Sequence, residues 1–449
     1  MTEADAKLVR NIEQAATPLA GTPGDFDGII EAARGKPLVL LGESSHGTRE
    51  FYQARAQITR RLVEELGFAG VAVEADWPDA YEINRYVWNL DPGKQAEEVF
   101  SAFERLPSWM WANTDMLAFV RWLAGFNAQS QRTEAGLRPV GFYGLDLYSM
   151  GSSAHAVIDY LDKHDPPAAA RARERYACLD QFLDEPHLYG QSVEFGLSAS
   201  CEREITEQLQ EMQNRAFRRL EGLGLVTDEQ RFCAEQNARL VRNAEEYYRA
   251  MFRGRPNSWN VRDRHMFETL QGLRSHLSHQ LGEPAGVVVW AHNSHVGNAA
   301  ATEMGARGEL NLGQLAREAY GDEALLVGFS TATGEVTAAS DWDSPAERKP
   351  IRAPLAGSYE KLFEAVAHER FLLDLRDARL RSQLAEARLH RAVGVIYRPQ
   401  TERQSHYSHS RLTEQFDFML HYDKTHALEA LASTTGTAGM LDGTWPSGL

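Results

Sequence analysis

The chain has 449 residues, of which 43% are hydrophobic and 24% charged, so it can form a sizeable core and is not a disordered protein. Lys and Arg number 47 against 63 Asp and Glu, which gives a formal net charge of −16. This acidic balance argues against a nucleic acid or an anionic membrane as partner, because both require a basic surface. It is compatible with a neutral or cationic small molecule.

The cysteines and the N-terminus indicate the compartment. Cys178, Cys201 and Cys233 lie in one predicted helical stretch without a CxxC pair, so neither a disulfide framework nor a zinc knuckle is expected. The N-terminus is polar and lacks the apolar segment of a signal peptide, and the apolar run at 285–291 is too short to cross a bilayer. We therefore expect a soluble protein of the reducing cytoplasm.

Short apolar runs that stop at a polar residue predict the β-strands. Such continuous runs are typical of strands that are covered on both faces, as in parallel sheets. An amphipathic helix at 51–66, closed by Gly67, separates the first two runs and completes a strand–helix–strand unit. In chain order, the predicted strands are 37–43, 70–74, 139–146, 286–292, 324–329, 371–375, 393–397 and 416–421.

Between residues 150 and 282 the strand pattern disappears and helical stripes replace it. Apolar residues recur at helical spacing in two segments, and a third helix is predicted at 260–280. The stripes consist of Ile205, Leu209, Met212 and Ala216 in the first segment and of Leu240, Ala244, Tyr247 and Met251 in the second. The sequence thus predicts an α/β fold: a first part of the catalytic core at 1–149, an α-helical insertion at 150–282, and the rest of the core with a C-terminal segment at 283–449.

Ionisable residues occupy the ends of four predicted strands. Glu43, Glu74, Asp146 and His292 each lie at a carboxyl end, and these ends line the ligand crevice of open α/β sheets. Four separate segments therefore bring charged groups to the same edge. This coincidence favours an active site over scattered surface salt bridges.

The segment that follows the first strand contains a candidate general base. Gly42 and Gly47 permit a tight turn that points Glu43 and His46 into the crevice. Histidine is the natural base near neutral pH, and a neighbouring carboxylate fixes its tautomer. The alternative is a helix-capping serine beside an ordinary loop histidine. No G-x-S-x-G pattern is present, so water is the expected nucleophile rather than serine.

A second cluster follows the strand at 286–292. His292 and His295 are three residues apart and are candidate acid–base groups, oxyanion donors or metal ligands. The HxxH spacing is a weak metal pattern, and H-E-x-x-H is absent. Arg55, two to three helical turns past His46, can bind Glu43, Glu74 or a substrate oxygen, or else lie on the helix surface. Trp111 suits either a pocket wall or the core.

These segments resemble the erythromycin esterase family. The resemblance is based on Gly42-Glu43-Ser-Ser-His46-Gly-Thr, Val73-Glu74-Ala-Asp76 and Trp290-Ala-His292-Asn-Ser-His295. Segments 109–111, 260–263, 398–407 and 445–448 also resemble that family, in the same order along nearly the whole chain.

The resemblance implies a central sheet flanked by helices, with the helical insertion over the active-site cleft. It also implies hydrolysis of an ester or macrolide lactone without a covalent serine intermediate. The residue matching the family's base is His46, with Glu43 and Glu74 positioning the base and the water. His292, His295 and Arg55 match residues that line the same cleft.

We therefore predict a metal-independent hydrolase of a carboxylic ester or lactone, with no cofactor. The sequence does not specify the physiological substrate, the oligomeric state or a role in macrolide resistance. Substrate contacts are expected from Trp111, Asp146 and His406. One alternative is a metal-dependent hydrolase that uses His46, Glu74, His292 and His295 as ligands. Another is a non-catalytic protein that binds haem or a different small molecule in the cleft.

Overall fold

The computed structural model describes residues 2–103, 107–183, 185–218, 224–254, 257–341 and 344–431. The segment 445–448, part of the family resemblance, lies outside the described residues. No helix in the described ranges is both long enough and apolar enough to cross a membrane.

A nine-stranded sheet forms the centre of the described chain. Its strand order is β1-β8-β11-β6-β2-β5-β3-β4, with β7 paired to β6. All neighbours from β11 to β4 along this order are parallel, whereas β1, β7 and β8 pair antiparallel. A separate antiparallel pair is formed by β9 and β10. The strands are β1 Thr17–Pro18, β2 Leu38–Leu41, β3 Gly70–Asp76, β4 Gly141–Asp146, β5 Val287–Trp290, β6 Ala324–Ala338, β7 Glu347–Ile351, β8 Arg370–Asp374, β9 Arg388–Arg391, β10 Tyr407–Ser410 and β11 Phe418–Thr425.

Helices flank this sheet and also fill the region between β4 and β5. The α-helices are α1 Glu3–Ala15, α2 Asp27–Ala33, α3 Arg49–Leu66, α4 Trp77–Val87, α5 Thr114–Asn127, α6 Ser130–Glu134, α7 Met150–His164, α8 Pro166–Tyr176, α9 Pro186–Glu194, α10 Glu202–Arg218, α11 Leu225–Met251, α12 Asn257–Leu281, α13 Asn293–Val296, α14 Glu303–Ala306, α15 Leu312–Tyr320, α16 Tyr359–Phe363, α17 Ala378–Gln383, α18 Glu402–Ser405 and α19 Leu412–Gln415. Short 3₁₀ helices lie at Pro23–Phe26, Glu98–Ala102, Ser108–Met110, Ala177–Phe182, Ala299–Ala301, Gly321–Glu323 and Pro399–Thr401.

The predicted α/β class with a largely parallel sheet is confirmed. Strands β2 and β5 are buried along their whole length, as expected for parallel strands with layers on both faces. The indole N–H of Trp290 donates to Thr59 Oγ1 of α3 at 2.9 Å, which ties that helix to the centre of the sheet. Helix α3 ends as predicted at Gly67, whose φ of 70° is left-handed.

One predicted strand is wrong. The segment 393–397 is buried but irregular, because it crosses between two different neighbours instead of running along one. Val393 forms an isolated bridge to Ser45, and Ile396 forms another to Ala339. Apolar β-branched composition thus indicated burial here, but not ladder pairing.

The expectation of no disulfide is also wrong. Cys178 and Cys201 are bonded to each other, with their Cα atoms 6.1 Å apart. Cys233 is free and buried, and its sulfur accepts a hydrogen bond from the indole N–H of Trp77. The bonded pair joins the 3₁₀ helix at 177–182 to the start of α10, an approach that no spacing pattern in the sequence indicates.

The described residues between 150 and 281 form the helices α7 to α12 and one 3₁₀ helix, and they are tied to the sheet at both ends of α12. The first turns of α12 face the carboxyl ends of the strands, as described below. Near its other end, His276 Nε2 lies 2.9 Å from the Glu229 carboxylate, which also accepts from the Tyr143 hydroxyl of β4 at 2.7 Å. Leu277 packs against Gly70 at the start of β3, where an added Cβ would lie 3.0 Å from its Cδ1.

The two glycines that flank the candidate base are required by close approach rather than by backbone conformation. A Cβ at Gly42 would lie 2.1 Å from Asn293 Oδ1, and one at Gly47 would lie 1.8 Å from the Thr337 carbonyl oxygen. Neither residue has a positive φ. The loop between β2 and α3 is therefore pressed against α13 and β6.

We expect Gly47→Ala to lower the free energy of unfolding by about 3 kcal/mol, at the upper end for an overpacked site, because the colliding atom is backbone and cannot rotate away. Urea denaturation measures the change. Gly125→Ala in α5 is the matched control, since nothing lies within 4 Å of its Cβ position. An unchanged midpoint for Gly47→Ala would contradict the close packing of this loop.

Candidate active site

The predicted strand-end residues meet at one edge of the sheet. Glu43 follows β2, His292 follows β5, and Glu74 and Asp146 lie near the ends of β3 and β4. These four strands are consecutive neighbours in the order β2-β5-β3-β4. All four side chains are buried, and Arg262 of α12 contacts two of them, Glu74 and Asp146.

His46 is held by a carboxylate, as predicted. Its Nδ1 lies 2.9 Å from Glu43 Oε1, and the other Glu43 oxygen lies 2.7 Å from Arg55 Nη2. Because an ionised carboxylate can only accept, Nδ1 bears the hydrogen and Nε2 presents its lone pair. The Arg55–Glu43 ion pair thus fixes His46 in the tautomer that a general base requires.

His292 presents the complementary group. Its Nδ1 lies 2.8 Å from Ser294 Oγ and also accepts from the Ser294 backbone N–H. Burial holds the pKa of His292 well below its usual value, and a second proton on the neighbouring His46 would lower it further, so the ring is neutral. Its proton is therefore on Nε2, a buried atom that makes no hydrogen bond within the described residues, although the Ser44 carbonyl lies near the ring. The His46 and His292 ring centroids are 4.8 Å apart, so the base and the donor are direct neighbours.

The hydrogen-bond and ion-pair partners of Glu74 are three other groups, and His46 is not among them. Its Oε2 accepts the His292 backbone N–H at 2.7 Å, and its Oε1 lies 2.8 Å from Arg262 Nη2 and 3.2 Å from His295 Nε2. Burial raises the pKa of Glu74, but the charges of His295, His46 and Arg262 outweigh it and place the pKa well below its usual value. Glu74 is therefore an ionised anchor for the His292 loop.

His295 lies between two carboxylates. Its Nδ1 is 2.9 Å from Asp263 Oδ1, its Nε2 faces Glu74, and the Trp259 ring stacks on it at 4.6 Å. Burial and the nearby Arg262 guanidinium lower the pKa of His295, but Asp263 and Glu74 raise it to about 9. Both of its nitrogens are engaged, because Nε2 also lies 3.0 Å from Arg262 Nη1.

Sequence reasoning missed the roles of Arg262 and Asp263, which appeared only within the family resemblance. Arg262 donates to Asp146 at 2.6 and 2.9 Å and to Glu74 at 2.8 Å. Both residues lie three and four positions after Trp259, on the buried stripe of α12 that continues to Met266 and Leu270. A charged pair on an apolar stripe is a signal that could have identified them.

The remaining predicted site residues have different surroundings. Arg55 is fully buried behind Glu43, with its guanidinium over the Tyr52 and Trp290 rings, so it supports the base from behind. Asp146 is the counter-ion of Arg262. The Trp111 ring is buried edge-on to Tyr52. His406 lies beyond Ser294 in the wall of a neighbouring cavity. Substrate contact by the last three stays a prediction.

The arrangement can perform acid–base chemistry on a bound carbonyl compound. His46 offers the lone pair of Nε2 as a base, and His292 offers a neutral N–H donor. The buried partners Arg262 and His295 keep Glu74 ionised. In the described ranges, no group of three or more His, Cys, Asp or Glu residues is arranged to bind a metal ion.

The model of the erythromycin esterase family matches residues 63–425. The chain belongs to the erythromycin esterase family. This membership assigns it to the hydrolases, while the substrate and the chemical class of the bond remain to be derived from the site.

Other members and neighbours agree with this family's fold. The Bacillus subtilis (strain 168) protein YbfO, whose name marks it as an inferred hydrolase, is 23% identical over 390 residues, covering 81% of this chain and 80% of YbfO. The crystal structure of a succinoglycan biosynthesis protein superposes with a TM-score of 0.75 at 21% identity, covering 96% and 99% of the two chains. A mutant of erythromycin esterase EreC in its open conformation gives 0.63 at 16% identity, covering 89% and 93%.

Proposed function

We propose that this protein hydrolyses a carboxylic ester or lactone with a water molecule that His46 deprotonates. The observation that supports this most directly is the Glu43–His46 hydrogen bond of 2.9 Å, with Arg55 behind it. It leaves the lone pair of Nε2 available to accept a proton. Family membership supplies the hydrolase class.

The proposed reaction has two steps. His46 Nε2 removes a proton from water while the water oxygen bonds to the carbonyl carbon, and the resulting oxyanion accepts the Nε2–H of His292. The tetrahedral intermediate then collapses, the C–O bond to the alcohol breaks, and protonated His46 returns its proton to the leaving oxygen. An ester gives an acid and an alcohol, and a lactone gives a single hydroxy acid.

His292 is a better oxyanion donor than His295 in this geometry. Both nitrogens of His295 face carboxylates, whereas Nε2–H of His292 makes no hydrogen bond within the described residues. Glu74 holds the His292 backbone, so the charged frame of Arg262 and His295 positions the donor indirectly. A single oriented donor is worth roughly 10²–10³ in rate.

A direct attack by water leaves no acyl group on the protein. In the loop after β2, the Ser45 hydroxyl forms a hydrogen bond with Thr48 Oγ1. A hydroxyl in that bond is not positioned as a nucleophile beside His46. The absence of an acyl adduct on Ser44 or Ser45 is therefore an expected property of the reaction.

The test is mass spectrometry of esters and lactones, erythromycin included, after incubation with the purified protein. We expect the mass of one water to be added to a lactone, and an ester to be cleaved, with no acyl adduct on rapidly quenched protein. Elemental analysis and dialysis against a chelator test the metal-dependent alternative. Stoichiometric metal with chelator-sensitive activity, or an acyl-serine adduct, would contradict the proposed mechanism.

A further inference from the structure

A second feature adjoins the catalytic loops and is not used by the reaction described above. It is a cavity of about 330 Å³ next to His292, which we call the side cavity. Its wall includes Ser294, Ala392, Glu303, Arg307, Arg403 and His406. Its volume lies near the lower end of ligand pockets, which span roughly 300–1,000 Å³.

Two residues of the wall connect the side cavity to the catalytic loops. Ser294 Oγ lies 2.8 Å from Nδ1 of His292. Ala392 precedes Val393, whose backbone N–H donates to the Ser44 carbonyl in the loop that contains His46. A molecule in the side cavity is therefore separated by one residue from the loop that contains His46 and by one residue from His292.

His406 gives the side cavity an unused donor. Its Nε2 accepts the backbone N–H of Arg398 at 3.1 Å, and burial lowers its pKa to about 4, so the ring is neutral. Its proton must then be on Nδ1, a buried atom that makes no hydrogen bond; the nearby Ala392 carbonyl is outside hydrogen-bonding geometry. A buried N–H without an acceptor is unfavourable, so a ligand that offers an oxygen acceptor satisfies it.

The charges of the wall specify the kind of acceptor. Glu303 is paired with Arg307 and lies 3.4 Å from His409. Arg403 is exposed and forms no ion pair within the described part of the chain. The wall thus has two guanidinium groups against one carboxylate, a local excess of positive charge on a chain whose net charge is −16. Arginine forks bind carboxylates in preference to neutral groups.

We propose that the side cavity binds an anionic carboxylate of the substrate, so that the enzyme acts on compact esters that also bear an acid group. The inference rests on the proposed ester hydrolysis and narrows it to a substrate class. The reacting carbonyl lies at His46 and His292, and the acid group of the same molecule lies between Nδ1–H of His406 and Arg403. We thus expect a preference for anionic substrates, whereas the net charge of the chain indicates neutral or cationic ones. The substrate contacts the wall of the side cavity, and charges on the distant acidic surface are screened.

The test compares two ethyl esters of similar length, monoethyl adipate and ethyl hexanoate, of which only the first bears a carboxylate. For the wild type, we expect kcat/KM to be at least about tenfold higher for monoethyl adipate. Arg403→Gln should lower the ratio of the two kcat/KM values about tenfold, mainly through the KM of the half-ester. Arg379→Gln, an exposed arginine on α17, is the matched control and should leave the ratio unchanged.

Binding of adipate, which contains no ester, separates the two proposals. Adipate should inhibit competitively, and calorimetry should show that Arg403→Gln and His406→Gln weaken its binding severalfold. Equal kcat/KM values for the two esters, or non-competitive inhibition, would overturn the side-cavity assignment while ester hydrolysis stands. Cleavage of neither ester, together with specific adipate binding, would contradict the proposed function and retain the anion site. No adipate binding would overturn the anion site itself.

Discussion

Replacement of His46 by alanine is expected to reduce kcat by roughly 10²–10⁴-fold, the range for loss of a positioned general base. The protein should still fold, because Arg55 continues to neutralise Glu43 at 2.7 Å. His292 and its frame of Glu74, Arg262 and His295 do not depend on a hydrogen bond from His46. The loss should therefore fall on the chemical step.

The measurement is the steady-state rate on whichever ester the wild type cleaves fastest, together with circular dichroism and the thermal midpoint. His279→Ala is the control, since this histidine is exposed on α12 near its far end. It should leave kcat and the midpoint unchanged. A His46→Ala protein with wild-type kcat and an intact spectrum would show that another group activates the water.

Replacement of Asp263 by asparagine is expected to move the alkaline limb of the kcat/KM profile to lower pH. In the wild type, Asp263 and Glu74 outweigh burial and raise the pKa of His295 to about 9, so its imidazolium supports Glu74 up to that pH. The asparagine amide keeps an oxygen in the place of Oδ1, which lies 2.9 Å from Nδ1 of His295, but it removes a negative charge. We expect a shift of at least about one pH unit, because the partner of a buried charge is lost.

The same group links stability to pH. Its pKa is higher in the folded protein, about 9, than in the unfolded chain, roughly 6.5, so the folded state binds more protons between these values. The resulting stabilisation, on the order of 3 kcal/mol, is fully present below about pH 6.5 and is lost as the pH rises through 9. Urea unfolding at both pH values measures it, and the difference should shrink in Asp263→Asn. A pH profile and a stability difference that match the wild type would exclude this role for Asp263.

The strand-end argument could be made from sequence because it depends only on chain order and sheet type. Parallel strands present their carboxyl ends at one edge, so Glu43, Glu74, Asp146 and His292 had to converge once the runs were identified as parallel strands. The order of the strands was not needed. The Arg55–Glu43 contact was also accessible, since helical geometry gives the reach of a side chain two turns away.

The remaining features depend on contacts between distant segments. Arg262 and Asp263 reach the site only because α12 returns over β4, and no local pattern gives that placement. The bond between Cys178 and Cys201 likewise depends on how two helices of the same region approach each other. In the segment 393–397 the composition correctly indicates burial but wrongly indicates a strand. The segment pairs only at single residues, with Ser45 at one end and with Ala339 at the other.

Helix α12 touches both ends of the sheet, and this has a consequence for local opening. Its 25 residues span roughly 38 Å, and the part from Asp263 beside His295 to His276 beside Glu229 covers roughly 20 Å of that length. To detach, the helix must expose an imidazolium at one end and a carboxylate at the other, together with the buried Leu270 and Leu277 between them. We therefore expect the amide hydrogens of α12 to exchange with solvent only when those of β3 also do, in a single cooperative opening.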